Sequence, residues 1–228
     1  MAFAPPFQRP FNATFDRRAA AAVPWWLAGG IAVANAIAVY RPKGAASLAA
    51  SYVNLANPGT YDAAPGTAPT FDVATGWTFT AASSQYLIFN GFTIANNQTA
   101  SVLVRFSDTA TTGRGFLFGF AGEFGIQPYF DGTDKLFRSR GVSQKRYVPA
   151  ATSGVVATAG LANYLDGSFL GNHSSVAAGS DMTTIAIGSQ SATVPNNYLQ
   201  GKIQAFAIYN ATLTATQVAA VTAAMAAL

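Results

Sequence analysis

The chain has no cysteine, and its 228 residues hold one glutamate, Glu123, and one histidine, His173. The missing cysteines exclude disulfides and thiolate metal sites. A lone histidine without cysteine cannot assemble a zinc site. Charge is scarce too: Asp, Glu, Lys and Arg make up 10% of the chain, against the usual quarter or so. Half of the residues are apolar, so the chain has ample surface to bury and does not read as disordered. Its abundance of Gly, Ala, Thr and Ser suits β-structure with tight turns better than a helical bundle, which would draw on Glu, Lys and Leu. The net charge of +4 is modest, and its distribution is more informative than its sum.

No charge interrupts residues 19–40, which include VPWWLAGGIAVANAIAVY from residue 23 onward. A bilayer helix needs about 20 apolar residues, but Pro24, Gly29, Gly30 and Asn35 interrupt this run. Ile31, Val33, Ile37 and Val39 alternate with alanines at 32, 34, 36 and 38. That period of two predicts a strand with one heavy and one thin face. A signal peptide would use Arg17 and Arg18 as its basic region and Ala34-Asn35-Ala36 as its cleavage site, yet the basic pair begins late for one. The segment therefore reads as a Trp-rich docking piece leading into a first strand, with no membrane span. Before it, Phe3, Phe7, Phe11 and Phe15 recur every four residues, while Pro5, Pro6 and Pro10 forbid a helix. An extended arm results. Two readings of it stand: the four phenylalanines, with Trp25 and Trp26, fill a groove on a partner, or the arm packs on its own domain. The chain divides into residues 1–40, arm and docking segment, and 41–228, the folded domain.

Leu48, Tyr52 and Leu55 predict a short helix ending at Pro58-Gly59. Residues 60–76 read as loop. From Gly76 onward, short aromatic and branched runs alternate with Gly, Asn, Asp and Ser, the pattern of an all-β domain. Asp131-Gly132 and Asp166-Gly167 each sit between apolar runs and predict hairpins. In GKIQAFAIYN, residues 201–210, both faces are largely apolar, as in a strand buried on both sides. Thr214 and Gln217 form a capping box. Val218, Val221, Met225 and Leu228 then follow at helical spacing.

LANYLDGSFLG, followed by TIAIGSQSATVPNNYLQGKIQAFAIYNATLTATQV, resembles the concanavalin A-like lectin/glucanase superfamily, in its laminin-G-like and pentraxin-like branch. The pattern falls on Tyr164, Asp166, Gly167, Ile187, Gly188, Gly201, Ile203, Tyr209, Asn210, Leu213 and Thr214. GWTFTAASSQYLIF resembles the family's opening strand pair, and the likeness spans residues 70–228. It implies an all-β, antiparallel jelly-roll β-sandwich, here with an extended N-terminal arm and a short C-terminal helix. Residues 40–72 also resemble segments that precede such domains in bacteriophage structural proteins. Fold alone does not assign function.

Glycosidases of this superfamily carry a Glu-x-Asp-x-x-Glu strand whose two carboxylates flank the scissile bond. Glu123 stands alone, so the expectation is a chain that is not an enzyme. His173 lies in a polar loop with no nucleophile elbow in the sequence. Many laminin-G and pentraxin modules bind calcium at loops; Asp131 and Asp134 are the weak candidates here, and the alternative is that Asp131 serves its turn. No other cofactor is expected. Lys135, Arg138, Arg140, Lys145 and Arg146 cluster within twelve residues. They read as a solvated strand edge, as a contact for an acidic surface, or as a nucleic-acid site, the last disfavoured because no stacking platform accompanies them. Asn12, Asn97, Asn172 and Asn210 sit in Asn-x-Ser/Thr, which weakly favours secretion. Trp77, Asn196 and Asn197 are candidate glycan-binding residues.

Two function classes follow. One is a structural virion protein, a capsid decoration or tail-associated component at the virion surface. It would be a homo-oligomer held by its arm to other virion proteins, with host surface glycan as a further partner. The other is a carbohydrate-binding or adhesion module of a secreted or cell-surface protein.

Overall fold

In the computed structural model the described residues are 1, 23–108, 113–120, 124–131, 134–140, 145–147, 151–172 and 181–228. At 97, 113–114, 124, 128–131, 134–140 and 145–147 the backbone alone is described. Phe3, Phe7, Phe11, Phe15, Asn12, Glu123 and His173 lie outside the described residues.

After 3-10 turns at Trp25–Leu27 and Val33–Asn35 come β1 (Ala36–Tyr40), the one-turn helix α1 (Leu48–Ser51), β2 (Ala64–Thr67) and β3 (Thr70–Asp72). Next are β4 (Gly76–Phe79), β5 (Tyr86–Ile94), β6 (Ser101–Ser107), β7 (Gly113–Arg114), β8 (Phe118–Phe120) and β9 (Phe124–Asp131). Then follow β10 (Asp134–Arg140), β11 (Lys145–Tyr147), β12 (Gly154–Ala159), β13 (Ala162–Leu165) and β14 (Ser168–Asn172). The chain closes with β15 (Met182–Ile187), β16 (Gly201–Tyr209) and α2 (Ala215–Ala226). Two 8-stranded antiparallel sheets stack as a sandwich. Sheet A runs β14-β13-β12-β6-β16-β4-β3, with β1 also on β16. Sheet B runs β11-β10-β9-β8-β15-β5-β2, with β7 on β9. This is the predicted antiparallel sandwich with a short C-terminal helix.

Between the sheets lies an aromatic core of Tyr40, Trp77, Phe79, Phe89, Phe92, Phe106, Phe118 and Phe206. Trp77 is 0% exposed. Its indole N–H donates to Ser51 Oγ at 2.7 Å, so the buried ring is satisfied. Burying one such aromatic contributes roughly 2–3 kcal/mol.

A second cluster lies on the outer face of sheet A. There Leu103, Val155, Ala157, Ala159, Ala205, Ala207 and Tyr209 meet Val218, Val221 and Met225 of α2. The capping box forms as predicted, Thr214 accepting from Gln217 N and the Gln217 side chain accepting from Thr214 N. At the other end Arg105 Nη1 donates to Met225 O at 2.9 Å, a cation on the orphan carbonyls of a helix C-terminus. The Trp25–Leu27 turn packs in the same cluster. Gly29 passes so close to α2 that a Cβ there would stand 3.1 Å from Ala220 Cβ and from Gln217 Cα. Tyr209 Oη donates to Trp26 O at 2.8 Å.

Several boundaries differ from expectation. The heavy-and-thin strand expected over 31–39 is shorter: β1 starts at Ala36, Val33 is 65% exposed, and the register shifts between Ala36 and Ala38. That bulge puts Ile37 and Ala38 against the aromatic core and Val39 on the outer face. Because β1 pairs with β16, the sandwich extends N-terminal to the expected boundary at residue 40. The helix after Pro42 shrinks to α1, and residues 60–76 hold two short edge strands; Pro65 is tolerated in β2 because it lies on a sheet edge. In β16 a register shift between Ile203 and Ala205 keeps Ile203, Phe206 and Ile208 in the core and turns Ala205, Ala207 and Tyr209 outward. The β13–β14 hairpin turns at Asp166-Gly167, with φ of 49° and 79°, the left-handed pair that a two-residue hairpin requires. The β9–β10 hairpin turns one residue later than expected, with Asp131 opposite Asp134.

Asn54 ties the α1 loop to β1. Its Oδ1 accepts from Val39 N at 2.9 Å and Ala56 N at 3.0 Å. Its Nδ2 donates to Ile37 O at 2.9 Å and Thr60 O at 2.8 Å. Asn54 is 0% exposed, and every polar group of the side chain is used. Asn54→Ala is expected to destabilise the fold by about 3 kcal/mol, since it strands buried backbone groups as well as deleting bonds; urea unfolding measures this, and a loss within experimental error refutes the role. Burial also pushes the Tyr40 and Tyr209 phenols well above the ordinary tyrosine range, with the Asp62 charge adding to the effect at Tyr40. Both stay protonated in the folded chain at a pH where the unfolded chain has lost those protons. Their contribution is full below about pH 10 and lost as pH rises beyond it. Alkaline unfolding is expected above that point, with a shallower pH dependence in the Tyr40→Phe/Tyr209→Phe double variant, followed by circular dichroism.

Candidate functional site

The two sheets differ in what covers them. The outer face of sheet A is occupied by α2 and the Trp25–Leu27 turn. On sheet B, strand alternation sends Leu87 and Phe89 of β5 and Ile185 and Ile187 of β15 into the core. Tyr86, Ile88, Asn90, Thr184 and Ala186 therefore share the outer face. Asn90 is exposed, and Tyr86, Ile88 and Thr184 are half-buried. Gly119 pairs with Ala186, and Gly125 with Gly119, so the middle of this face has a floor of small residues.

The crossover of residues 188–200 lies on that floor. A Cβ on Gly119 would stand 2.0 Å from Gln190 O, so only glycine admits the loop there. Polar bonds shape the loop: Gln190 N donates to Asn196 O at 3.0 Å and Phe116 N to Asn197 O at 3.0 Å. Ser189 Oγ accepts from Asn196 N at 3.2 Å and donates to Asn196 O at 3.1 Å. Asn197 adopts a left-handed φ of 49°, which asparagine tolerates. Its Nδ2 donates to Gln190 Oε1 and, at 3.1 Å, to Asn196 Oδ1. Those bonds leave the Asn196 and Gln190 amide nitrogens and the Asn197 amide oxygen for a ligand. Beside them stand two tyrosine rings. Tyr86 lies over Gly66, where a Cβ would come within 2.0 Å of its ring. The Tyr198 ring is 6.0 Å from the Tyr86 ring at 44°, and its hydroxyl donates to Pro195 O at 3.0 Å. Half-buried rings beside amides with open donors and acceptors offer an apolar surface and directional bonds at one place, as small polar ligands require.

Asn196 and Asn197, singled out from the sequence, belong to this site. Trp77 does not: it is sealed in the core, with no ring face open to a sugar. Trp25 and Trp26 pack, half-buried, on their own domain beside α2. The basic cluster is divided by the pleat. Ser139 pairs with the core residue Ile126 and with Lys145, which places Lys135 and Lys145 on the core-side face of the ladder. Arg138, Arg140 and Arg146 fall on the outer face of sheet B with Gln127; β11, which carries Lys145 and Arg146, is an edge strand, while β10 is paired on both sides. Asp131 and Asp134 face each other across the hairpin end. Among the described residues no group of three His, Asp or Glu could hold a metal ion, and no helix is long and apolar enough to cross a membrane. Tyr86, Tyr198 and Gln190 were missed in the sequence; the one signal was the run of polar residues before NNY, whose meaning depends on the Gly119 floor.

No family model and no curated protein matches the chain. Solved structures do. Domain 4 of AbnA, a GH43 extracellular arabinanase from Geobacillus stearothermophilus in complex with arabinotriose, is 14% identical over 82% of this chain and 98% of that one, with a TM-score of 0.55. Trypanosoma rangeli sialidase in complex with sialic acid is 14% identical over 87% of this chain and 34% of that one, TM-score 0.61. A botulinum neurotoxin type C structure, described as dependent on two ganglioside molecules for cell entry, is 7% identical over 85% of this chain and 52% of that one, TM-score 0.57. These likenesses carry the fold alone, a β-sandwich of two antiparallel sheets.

Proposed function

We propose that the chain is a lectin-like module that binds glycan, without catalysis, on the outer face of sheet B. The observation that carries this reading is the pairing of the half-buried Tyr86 and Tyr198 rings with the open amide groups of Gln190, Asn196 and Asn197, on the face that α2 leaves uncovered. A sugar would stack its apolar C–H face on a tyrosine and exchange hydrogen bonds with the amides. The ligands named in the three similar structures, arabinotriose, sialic acid and ganglioside, support saccharide as the ligand class. The reading without catalysis is supported by the lack of the Glu-x-Asp-x-x-Glu strand of this superfamily's glycosidases, the one glutamate, Glu123, having no carboxylate nearby in sequence. Calcium at Asp131 and Asp134 would draw most of its oxygens from backbone and water, since the ion takes six to eight. A glycan array followed by calorimetry tests the reading. Tyr198→Ala and Asn196→Ala are each expected to weaken binding at least tenfold without lowering Tm; failure of the unaltered chain to bind any saccharide overturns it.

Within that reading, residues 1–22 anchor the module to a particle, as a capsid decoration or tail-associated virion component. The observation that favours an anchor is placement. Val23, 71% exposed, leads into the turn on the outer face of sheet A, on the opposite side of the sandwich from the glycan face. An arm leaving from there would hold the module with its ligand face outward. Cross-linking mass spectrometry on native particles is expected to join Lys43 or the N-terminal amine to a repeating shell or tail protein. Deletion of residues 1–22 is expected to abolish those cross-links. Identical behaviour of the two chains refutes the anchor.

A further inference from the structure

The three carboxamides of the 188–200 crossover fix one another. Asn197 Nδ2 uses both of its hydrogens, one on Gln190 Oε1 and one, at 3.1 Å, on Asn196 Oδ1. That decides which way each amide faces, because oxygen and nitrogen sit on opposite arms of the group. The Asn197 oxygen turns away from its neighbours, and so does the Asn196 nitrogen. Gln190 is 9% exposed and serves to hold the network. Asn196 is exposed and Asn197 half-buried. The site therefore presents one acceptor, Asn197 Oδ1, beside one donor group, Asn196 Nδ2. A third feature stands next to them. Val194 is 68% exposed, a branched apolar side chain left to water at the tip of a polar loop. The tip has its own framework. Ser191 Oγ accepts from Thr193 N at 3.2 Å and from Val194 N at 3.4 Å, and shares a hydrogen bond with Thr193 Oγ1 at 3.1 Å. Across its base Gln190 N donates to Asn196 O at 3.0 Å. Pro195 alone separates Val194 from Asn196, so their Cα atoms lie no more than about 7 Å apart.

An acceptor, a donor and an apolar contact within one loop match an acetamido group. Its N–H donates, its carbonyl accepts, and its methyl gains by leaving water. The rings supply the orientation. The Tyr198 hydroxyl reaches back to Pro195 O at 3.0 Å, so this ring lies along the segment that carries Val194, Asn196 and Asn197. A sugar stacked on it turns a ring substituent toward that segment. We infer that the glycan taken by this face contains an N-acetylated amino sugar, its acetamido group received by Asn197 Oδ1, Asn196 Nδ2 and the Val194 side chain. This rests on the reading of the same face as a saccharide site. A 6-deoxy sugar would use the valine and leave the amides without partners, and a sugar with hydroxyls alone would use the amides and leave the valine in water.

The test is saturation-transfer NMR with calorimetry on the full chain, using sugars that differ only in acetamido against hydroxyl. The pairs are triacetylchitotriose and cellotriose, the methyl glycosides of N-acetylgalactosamine and galactose, and the methyl glycosides of N-acetylneuraminic acid and its 5-hydroxy analogue. Methyl fucoside is measured alongside. In at least one pair the acetamido member is expected to bind about tenfold more tightly, roughly fourfold of it from burying one methyl group and the rest from the amide hydrogen bonds. Its acetyl methyl is expected to receive the strongest saturation. Val194→Ser is expected to lower the ratio within that pair to about threefold, the methyl contribution being lost, and to weaken saturation of the acetyl methyl. Val194→Ile, which keeps the apolar contact, is expected to retain the full ratio. Val194 is exposed, so neither variant should shift Tm; should one fail to fold, the saturation pattern of the parent decides alone. Equal binding within every pair, an acetyl methyl without saturation, a ratio untouched by Val194→Ser, or tightest binding of methyl fucoside overturns this inference and leaves the saccharide site standing. Absence of binding by these sugars and by every member of a glycan array overturns the site itself.

Discussion

The seam between sheet A and α2 is the constraint on which the rest of the molecule depends. Sheet A is apolar on both faces, and an apolar face left to water has to be covered. Its outer face offers Ala157, Ala159, Ala205 and Ala207, side chains short enough to admit a helix at close range. Val218, Val221 and Met225 fill the space above them. Tyr209 and Arg105 fasten the margins, one to the Trp26 carbonyl and the other to the last turn of α2. Once the helix and the Trp25–Leu27 turn occupy this side, only sheet B presents an outer face for a ligand, and the polar crossover of residues 188–200 lies there.

Local signals in the sequence carried much of this. Thr214 and Gln217 announce the helix start, because a capping box is local chemistry that needs no tertiary partner. Asp166-Gly167 announces its hairpin for the same reason. The alternation over residues 31–39 misled because a bulge breaks period two, and a bulge arises from how β1 must meet β16, not from the strand's own residues. Trp77 illustrates the opposite limit: an aromatic reads alike in composition whether it faces a core or a sugar. Its burial depends on Ser51, 26 residues away in the chain. The Gly119 floor was unreadable in the sequence, since its meaning lies in the close approach of Gln190 some seventy residues later. The division of the basic cluster followed from parity alone, once the pairing of Ser139 with Ile126 was known.

The proposed face and a glycosidase cleft call for charge in different places. A hydrolase needs two carboxylates at a set separation to donate and accept protons around the glycosidic bond. On sheet B the described outer positions of β5, β8 and β15 carry Ile88, Asn90, Gly119, Thr184 and Ala186 beside Tyr86. Such groups orient and hold a ligand but do not titrate near neutral pH. The chemistry proposed there is recognition, with selectivity from matching donors to acceptors, because a polar site rejects a ligand that leaves its own groups unpaired.

Recognition by a shallow, half-exposed face has a consequence for affinity. A few stacked rings and amide bonds offset little more than the ordering cost of a flexible saccharide, so a single face of this kind binds weakly. A module presented in many copies overcomes this through effective concentration, without any new contact. The proposed anchor and ligand face lie on opposite sides of the fold. The chain reaches its N-terminal turn at Val23 and Trp25 on the sheet A side, and the tyrosines, amides and arginines occupy the sheet B side, with the whole sandwich between them. Tethering through the first side leaves the second unobstructed. On the proposed reading a weak face and a remote tether are complementary: the tether would supply the multiplicity that the face needs.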